Sequence, residues 1–77
     1  MRPRSFRWRA ITARVLIAAL KRAEFYAVRQ RGSHLALVHE DGRRAVVPIH
    51  CAPLKLGTLR AILREARIRP SDLGPYL

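Results

Sequence analysis

Between Ile11 and Ala23 the apolar residues Val15, Leu16, Ala19, Leu20 and Ala23 recur on one side of a helical wheel, while Arg14 and Lys21 fall on the other. The spacing predicts a first helix, with Thr12 as its N-cap and an end near Ala23 or Glu24. From Phe25 the period shortens. Phe25-Tyr26-Ala27-Val28-Arg29-Gln30-Arg31 is rich in aromatic and β-branched side chains, and the Gly32-Ser33 pair after it marks a turn between extended segments. A second strand over residues 34–39, a second hairpin turn at Asp41-Gly42 and a third strand over residues 44–50 follow. Three strands joined in this way make an antiparallel meander, and Pro48, which has no N–H to give to a ladder, either places the third at an edge there or has its nitrogen facing outward. After a loop over residues 52–57, Thr58 opens a second helix whose buried stripe is Leu59, Ile62, Leu63 and Ala66. Pro70-Ser71-Asp72-Leu73 adds one helical turn, which Gly74-Pro75 stops. The fold class is α+β, in the order helix, three strands, helix.

Residues 1–9 carry four Arg with Phe6 and Trp8 and no sustained period, and they read as a basic arm ahead of a single domain over residues 10–77. A chain of 77 residues has no room for a second core and a linker, which leaves a small binding module or a minimal enzyme. Its 49% apolar content is enough to build a core, unlike a disordered basic tail. No run approaches the roughly 20 apolar residues that a membrane span requires, so a soluble, cytoplasmic protein is expected. Cys51 is the single cysteine, which excludes an internal disulfide, and beside His50 it lacks the four ligands of a structural zinc site. It reads as a loop residue.

Sixteen Lys and Arg against five Asp and Glu give a formal charge of +11. Such a surplus points to polyanions, nucleic acid first, because each cation that neutralises a phosphate releases condensed counterions. Arg outnumbers Lys 14 to 2. Arg engages phosphate bidentately, although a GC-rich coding bias also raises Arg and leaves some of it as solvated surface. Arg60, Arg64 and Arg67 stand at i, i+4 and i+7, either a basic ridge along the second helix or an ordinary solvated face.

Metal-assisted phosphodiester cleavage needs clustered carboxylates, yet Glu24, Glu40, Asp41, Glu65 and Asp72 fall on different elements. Neither a metal nor another cofactor is expected. The groups suited to proton transfer at neutral pH are then His34, His39 and His50. Cleaving RNA without a metal takes a base for the ribose 2′-hydroxyl proton, cationic stabilisation of the phosphorane and an acid for the leaving oxygen. His34 is the best placed, at a hairpin where Gly32 lets the backbone approach a ligand and Arg29 and Arg31 supply charge. The same position also fits a plain turn residue. His39 has the opposite strand parity and flanks the second hairpin tip, which gives it a surface role, and His50 is the second candidate.

At Arg29-Gln30-Arg31-Gly32-Ser33-His34 the sequence resembles the HicA family of mRNA interferase toxins, whose signature is Arg-Gln-x-Gly-Ser-His after the first helix. Asp41-Gly42-Arg43-Arg44, Val47-Pro48-x-His50 and Gly57-Thr58-Leu59-Arg60-x-Ile62-Leu63 follow in the family's order, so the resemblance runs from about residue 11 to residue 73. It implies a double-stranded-RNA-binding-like α-β-β-β-α fold, with a three-stranded antiparallel sheet packed against two helices. It also implies a type II toxin that is a metal-independent endoribonuclease acting on mRNA, held by a HicB-like antitoxin. His34 would be the catalytic residue and Gly32 and Ser33 would shape its turn, while Arg29 and Arg31, with Arg60 and Arg64, hold RNA. Two departures stand out: Glu24 replaces the glycine usual before Phe, and residues 1–9 extend the usual start. A non-catalytic RNA-binding module of the same fold is the competing reading. A DNA-binding or ribosomal protein is weaker, since no helix-turn-helix is evident.

Overall fold

The computed structural model describes residues 11–50 and 52–77. The basic arm expected at residues 1–9 and the loop placement of Cys51 lie outside the described residues. The elements run α1 (Ala13–Arg22), β1 (Tyr26–Arg31), β2 (His34–Val38), β3 (Arg44–Pro48), α2 (Leu56–Ala66) and α3 (Pro70–Leu73), ending in a 3₁₀ turn over Gly74–Tyr76. The strands form one antiparallel sheet in the order β1-β2-β3. This is the α+β architecture expected from the sequence, and Pro48 lies on edge strand β3 opposite His34. Among the described residues no helix is long and apolar enough to cross a membrane.

Helix α1 starts as its sequence dictates. Thr12 is extended at φ −88°, ψ 166°, and its hydroxyl oxygen accepts the Val15 amide at 3.3 Å, satisfying one of the otherwise orphaned first-turn donors. The buried stripe is Ala13, Leu16, Ala19 and Leu20. Val15 was expected in it, but one residue from Leu16 is about 100° around the axis, and Val15 is 44% exposed. Helix α2 begins at Leu56, two residues before Thr58, because Leu56 itself packs against the core; its stripe of Leu59, Ile62, Leu63 and Ala66 is as the periodicity predicts. Gly74-Pro75 does not stop the chain but tightens it into the 3₁₀ turn, where a proline near the start gives up an amide that has no partner to lose. Arg22 Nη1 donates to the Tyr76 carbonyl at 2.8 Å and ties this last turn to α1.

Both helices end in the same way, and neither end uses glycine. After α1, the Phe25 amide donates to the Leu20 carbonyl at 2.9 Å and the Glu24 amide to the Lys21 carbonyl at 3.0 Å, with Glu24 at φ +74°. After α2, the Ile68 amide reaches Leu63 at 2.9 Å and the Arg67 amide reaches Arg64 at 3.1 Å, with Arg67 at φ +55°. These are Schellman motifs closed by side-chain-bearing residues in the left-handed region. The left-handed conformation costs such a residue about 1–2 kcal/mol, and glycine avoids it while adding some entropy to the unfolded chain. Glu24→Gly is therefore expected to stabilise the protein by about 0.5–1 kcal/mol in urea unfolding. An unchanged midpoint would show that the Glu24 side chain makes good the backbone strain.

The β2–β3 turn is pinned to the core by an unusual polar cluster. Asp41 accepts the Arg43 amide at 3.1 Å on Oδ1 and the Arg43 Nε at 2.9 Å on Oδ2. The Arg43 guanidinium stands 5.2 Å from the Phe25 ring centroid, and its Nη1 reaches the Ala66 carbonyl at 3.4 Å. The Arg43 amide, then its guanidinium, holds the Asp41 carboxyl below the usual carboxylate range. A lowered folded-state pKa gives stability that is present above the unfolded value and is lost as pH falls through the folded one. Asp41→Asn should accordingly flatten the acid limb of the urea-unfolding stability profile, with little difference from the parent at acid pH, where the parent's Asp41 is protonated in both the folded and the unfolded state.

Candidate functional site

Alternation along the strands divides the sheet into two faces. Leu37 of β2 and Ala45 and Val47 of β3 are fully buried and join Leu16, Leu20, Leu59 and Leu63 in the core, so the helices cover that face. His34, Ala36 and Val38 of β2, with Val46 and Pro48 of β3, have the opposite parity and look away from the helices; Arg44 shares that parity, although its guanidinium lies 3.8 Å from Glu65 of α2. Strand β1 reaches the same open face by a detour. Tyr26 pairs with Val38 and Ala27 with Leu37, but Arg29 pairs with Ala36 and Arg31 with His34, which leaves Val28 as an extra residue in a β-bulge. Unbroken alternation from buried Phe25 would send Arg29 and Arg31 toward the core. The bulge resets the parity and lays both beside His34.

The turn that carries His34 is a two-residue hairpin. Arg31 and His34 face each other across it, and Gly32 takes φ +54° at the first turn position, where glycine meets no steric penalty. A Cβ on Gly32 would touch nothing within 4 Å, so the requirement is one of backbone conformation and not of space. The Ser33 carbonyl accepts the Ile49 amide, and the Gln30 side-chain amide donates to the Gly32 carbonyl at 3.3 Å. These bonds fasten the turn to the far end of β3 and to its own strand. His34 is thus the first residue of a paired strand, exposed, and among the described residues nothing hydrogen-bonds its imidazole.

Arg29, Arg31, His34, Ala36 and Val46 together line a shallow depression of about 210 Å³. The small Ala36 and Val46 side chains form its floor between the basic groups. The three strands contain no Asp or Glu, and among the described residues neither Arg29 nor Arg31 pairs with a carboxylate. Arg44, at the start of β3, reaches only loosely to Glu65, at 3.8 Å. The depression therefore joins an accessible imidazole to two guanidiniums without a carboxylate partner among the described residues, a set whose chemistry suits a phosphodiester.

The other sequence candidates lie elsewhere. Arg60 and Arg64 are exposed on α2, in the layer against the sheet's opposite face, and neither lines the depression. Arg67 lies beyond the end of α2, so the three-residue ridge is a pair on the helix. His39 is not a surface residue: its side chain is 18% exposed, its ring meets Phe25 edge-on at 5.2 Å, and its Nδ1 accepts the Asp41 amide at 3.1 Å. The aromatic contact is the physical reason, since Phe25 is drawn into the core directly beneath the second hairpin. His50 borders a separate apolar groove with Ala13, Ile17 and Ile49. Among the described residues no three His, Cys, Asp or Glu side chains are grouped to hold a metal ion.

A three-stranded sheet with its helices on one face and a basic, histidine-bearing depression on the other defines a small α+β domain with one open, cationic face. The family model for the HicA toxin of bacterial toxin-antitoxin systems matches residues 13–68, most of the chain and all three strands. The chain belongs to the HicA toxin family. Its role is that of the toxin in a toxin–antitoxin pair, which entails an antitoxin as its partner. No curated protein matches the sequence.

Proposed function

We propose that this toxin is an endoribonuclease that cleaves mRNA without a metal ion, with His34 as general base. The observation that carries this reading is the β-bulge at Val28, which brings Arg29 and Arg31 onto the His34 face beside an imidazole that no described residue hydrogen-bonds. His34 removes the ribose 2′-hydroxyl proton. The 2′-oxygen then attacks the adjacent phosphorus, the bond from phosphorus to the 5′-oxygen breaks, and that oxygen leaves with a proton from water or from the imidazolium. The products are a 2′,3′-cyclic phosphate and a 5′-hydroxyl. Arg29 and Arg31 neutralise the charge that gathers on the phosphorane, where fixed donors act most strongly.

RNA binding extends to Gly32 and Ser33, whose turn backbone borders the depression, and Arg60 and Arg64 serve as outer contacts for a longer strand. A HicB-like antitoxin blocks cleavage by covering this face with acidic groups, and the chain's charge of +11 steers that capture. The experiment is a labelled single-stranded RNA incubated in chelator with the purified toxin, with and without the protein encoded beside it. Cleavage in chelator that the neighbour protein suppresses is the expected result; an intact RNA refutes the reading.

A further inference from the structure

The His34 depression continues into a second one on the same open face. That second depression, about 420 Å³, is lined by Val28, Arg29, Val38, Arg44 and Val46 among others, and it shares Arg29, Ala36 and Val46 with the first. Its chemistry differs. The first holds His34 and two Arg, whereas the second has an apolar floor edged by Arg29 and Arg44. Tyr26 does not line it but stands opposite its lining residue Val38 in the ladder, and is 53% exposed, as is Val28. Leaving a tyrosine and a valine half in water on a sheet face that no helix of the described residues covers has a cost in hydration that the fold does not require.

Resting on the nuclease reading above, we propose that this second depression is a base-binding subsite, in which Tyr26 stacks on a nucleobase of single-stranded RNA and Arg29 and Arg44 take the flanking phosphates. Three observations converge on it. An aromatic ring on an open sheet face is a platform any base can stack on. The guanidiniums at its two edges, Arg29 with no carboxylate partner among the described residues and Arg44 in only a loose 3.8 Å contact with exposed Glu65, match a phosphate backbone. The surface is also continuous with the depression that holds His34, through Arg29, Ala36 and Val46. Val38 lies four positions beyond His34 in β2, roughly 13 Å along the strand. The stacked base thus belongs to a neighbouring nucleotide and not to the one whose hydroxyl reacts, and the subsite holds the strand in register for cleavage.

The test compares Tyr26→Ala and Tyr26→Phe with the parent on a dinucleoside phosphate and on a pentanucleotide RNA, measuring both cleavage and binding. The expected loss for Tyr26→Ala grows with length, reaching about tenfold in kcat/KM on the pentanucleotide and less on the dinucleoside phosphate, while Tyr26→Phe keeps the stack and the parent's rate on both. An equal loss on both substrates, or none on the pentanucleotide, overturns the subsite while leaving the nuclease intact. If the parent cleaves neither RNA, the nuclease reading fails instead. The subsite then stands only if the parent binds the pentanucleotide about tenfold more tightly than Tyr26→Ala does. Loss of antitoxin binding with RNA handling unchanged assigns the face to the antitoxin and overturns the proposal.

Discussion

A folded His34→Ala protein is expected to cleave RNA roughly 10²–10⁴-fold more slowly than the parent, the range a positioned general base contributes. The fold should tolerate the change. His34 is exposed at the start of β2, and its pairing with Arg31 and Pro48 runs through the backbone, which alanine supplies equally well. Exposed substitutions of this kind usually lie within about 0.5 kcal/mol. RNA binding should persist, because phosphate contacts carry most of the affinity and the Arg side chains remain. His39→Ala provides the contrast. Its ring packs on Phe25, so that variant loses stability while the folded fraction keeps its cleavage rate. Parent-rate cleavage by His34→Ala would move the search to His50.

The second large effect is electrostatic. On a single strand each phosphate neutralised adds about 0.7 to the slope of log affinity against log salt, so Arg29→Ala with Arg31→Ala should make that slope shallower by about 1.4. Titration of a labelled RNA at several salt concentrations measures it. The effect is specific to position: among the described residues these two guanidiniums beside His34 pair with no carboxylate, whereas Arg43 is already engaged by Asp41. Substituting Arg60 and Arg64 on α2 gives the companion measurement, and its slope change counts how many phosphates of a longer RNA reach around the sheet edge. A parent slope near zero would remove phosphate binding from the account altogether.

The helix stripes, the meander and the two hairpin turns were legible because each rests on local signals: period 3.6, alternation, and glycines at turn positions. Pro48 announced its edge strand for an equally local reason. The bulge was not legible. Nothing in Phe25-Tyr26-Ala27-Val28-Arg29-Gln30-Arg31 distinguishes a regular strand from one with an extra residue, since the choice is made by pairing with β2 and by the burial of Phe25. Yet that choice decides where Arg29 and Arg31 point. The end of α1 falls where its pattern stops, at Arg22 with Ala23 as the C-cap, but the left-handed backbone at Glu24 and Arg67 was not legible, because their identity disfavours it. His39 was misplaced because its position next to a hairpin tip outweighed the pull of Phe25. For His34 the local signal and the three-dimensional one agree, an exposed imidazole beside a glycine turn.

The central claim is that the RNA's own 2′-hydroxyl is the nucleophile at the His34 depression. The direct measurement is mass spectrometry of the fragments from one RNA and from its twin carrying a single 2′-deoxy nucleotide at the cut position, both digested in chelator. A cyclic phosphate end from the first and no cut at that position in the second is the expected result. Cleavage of the deoxy twin at the same bond, or a linear phosphate as the initial product, would contradict it.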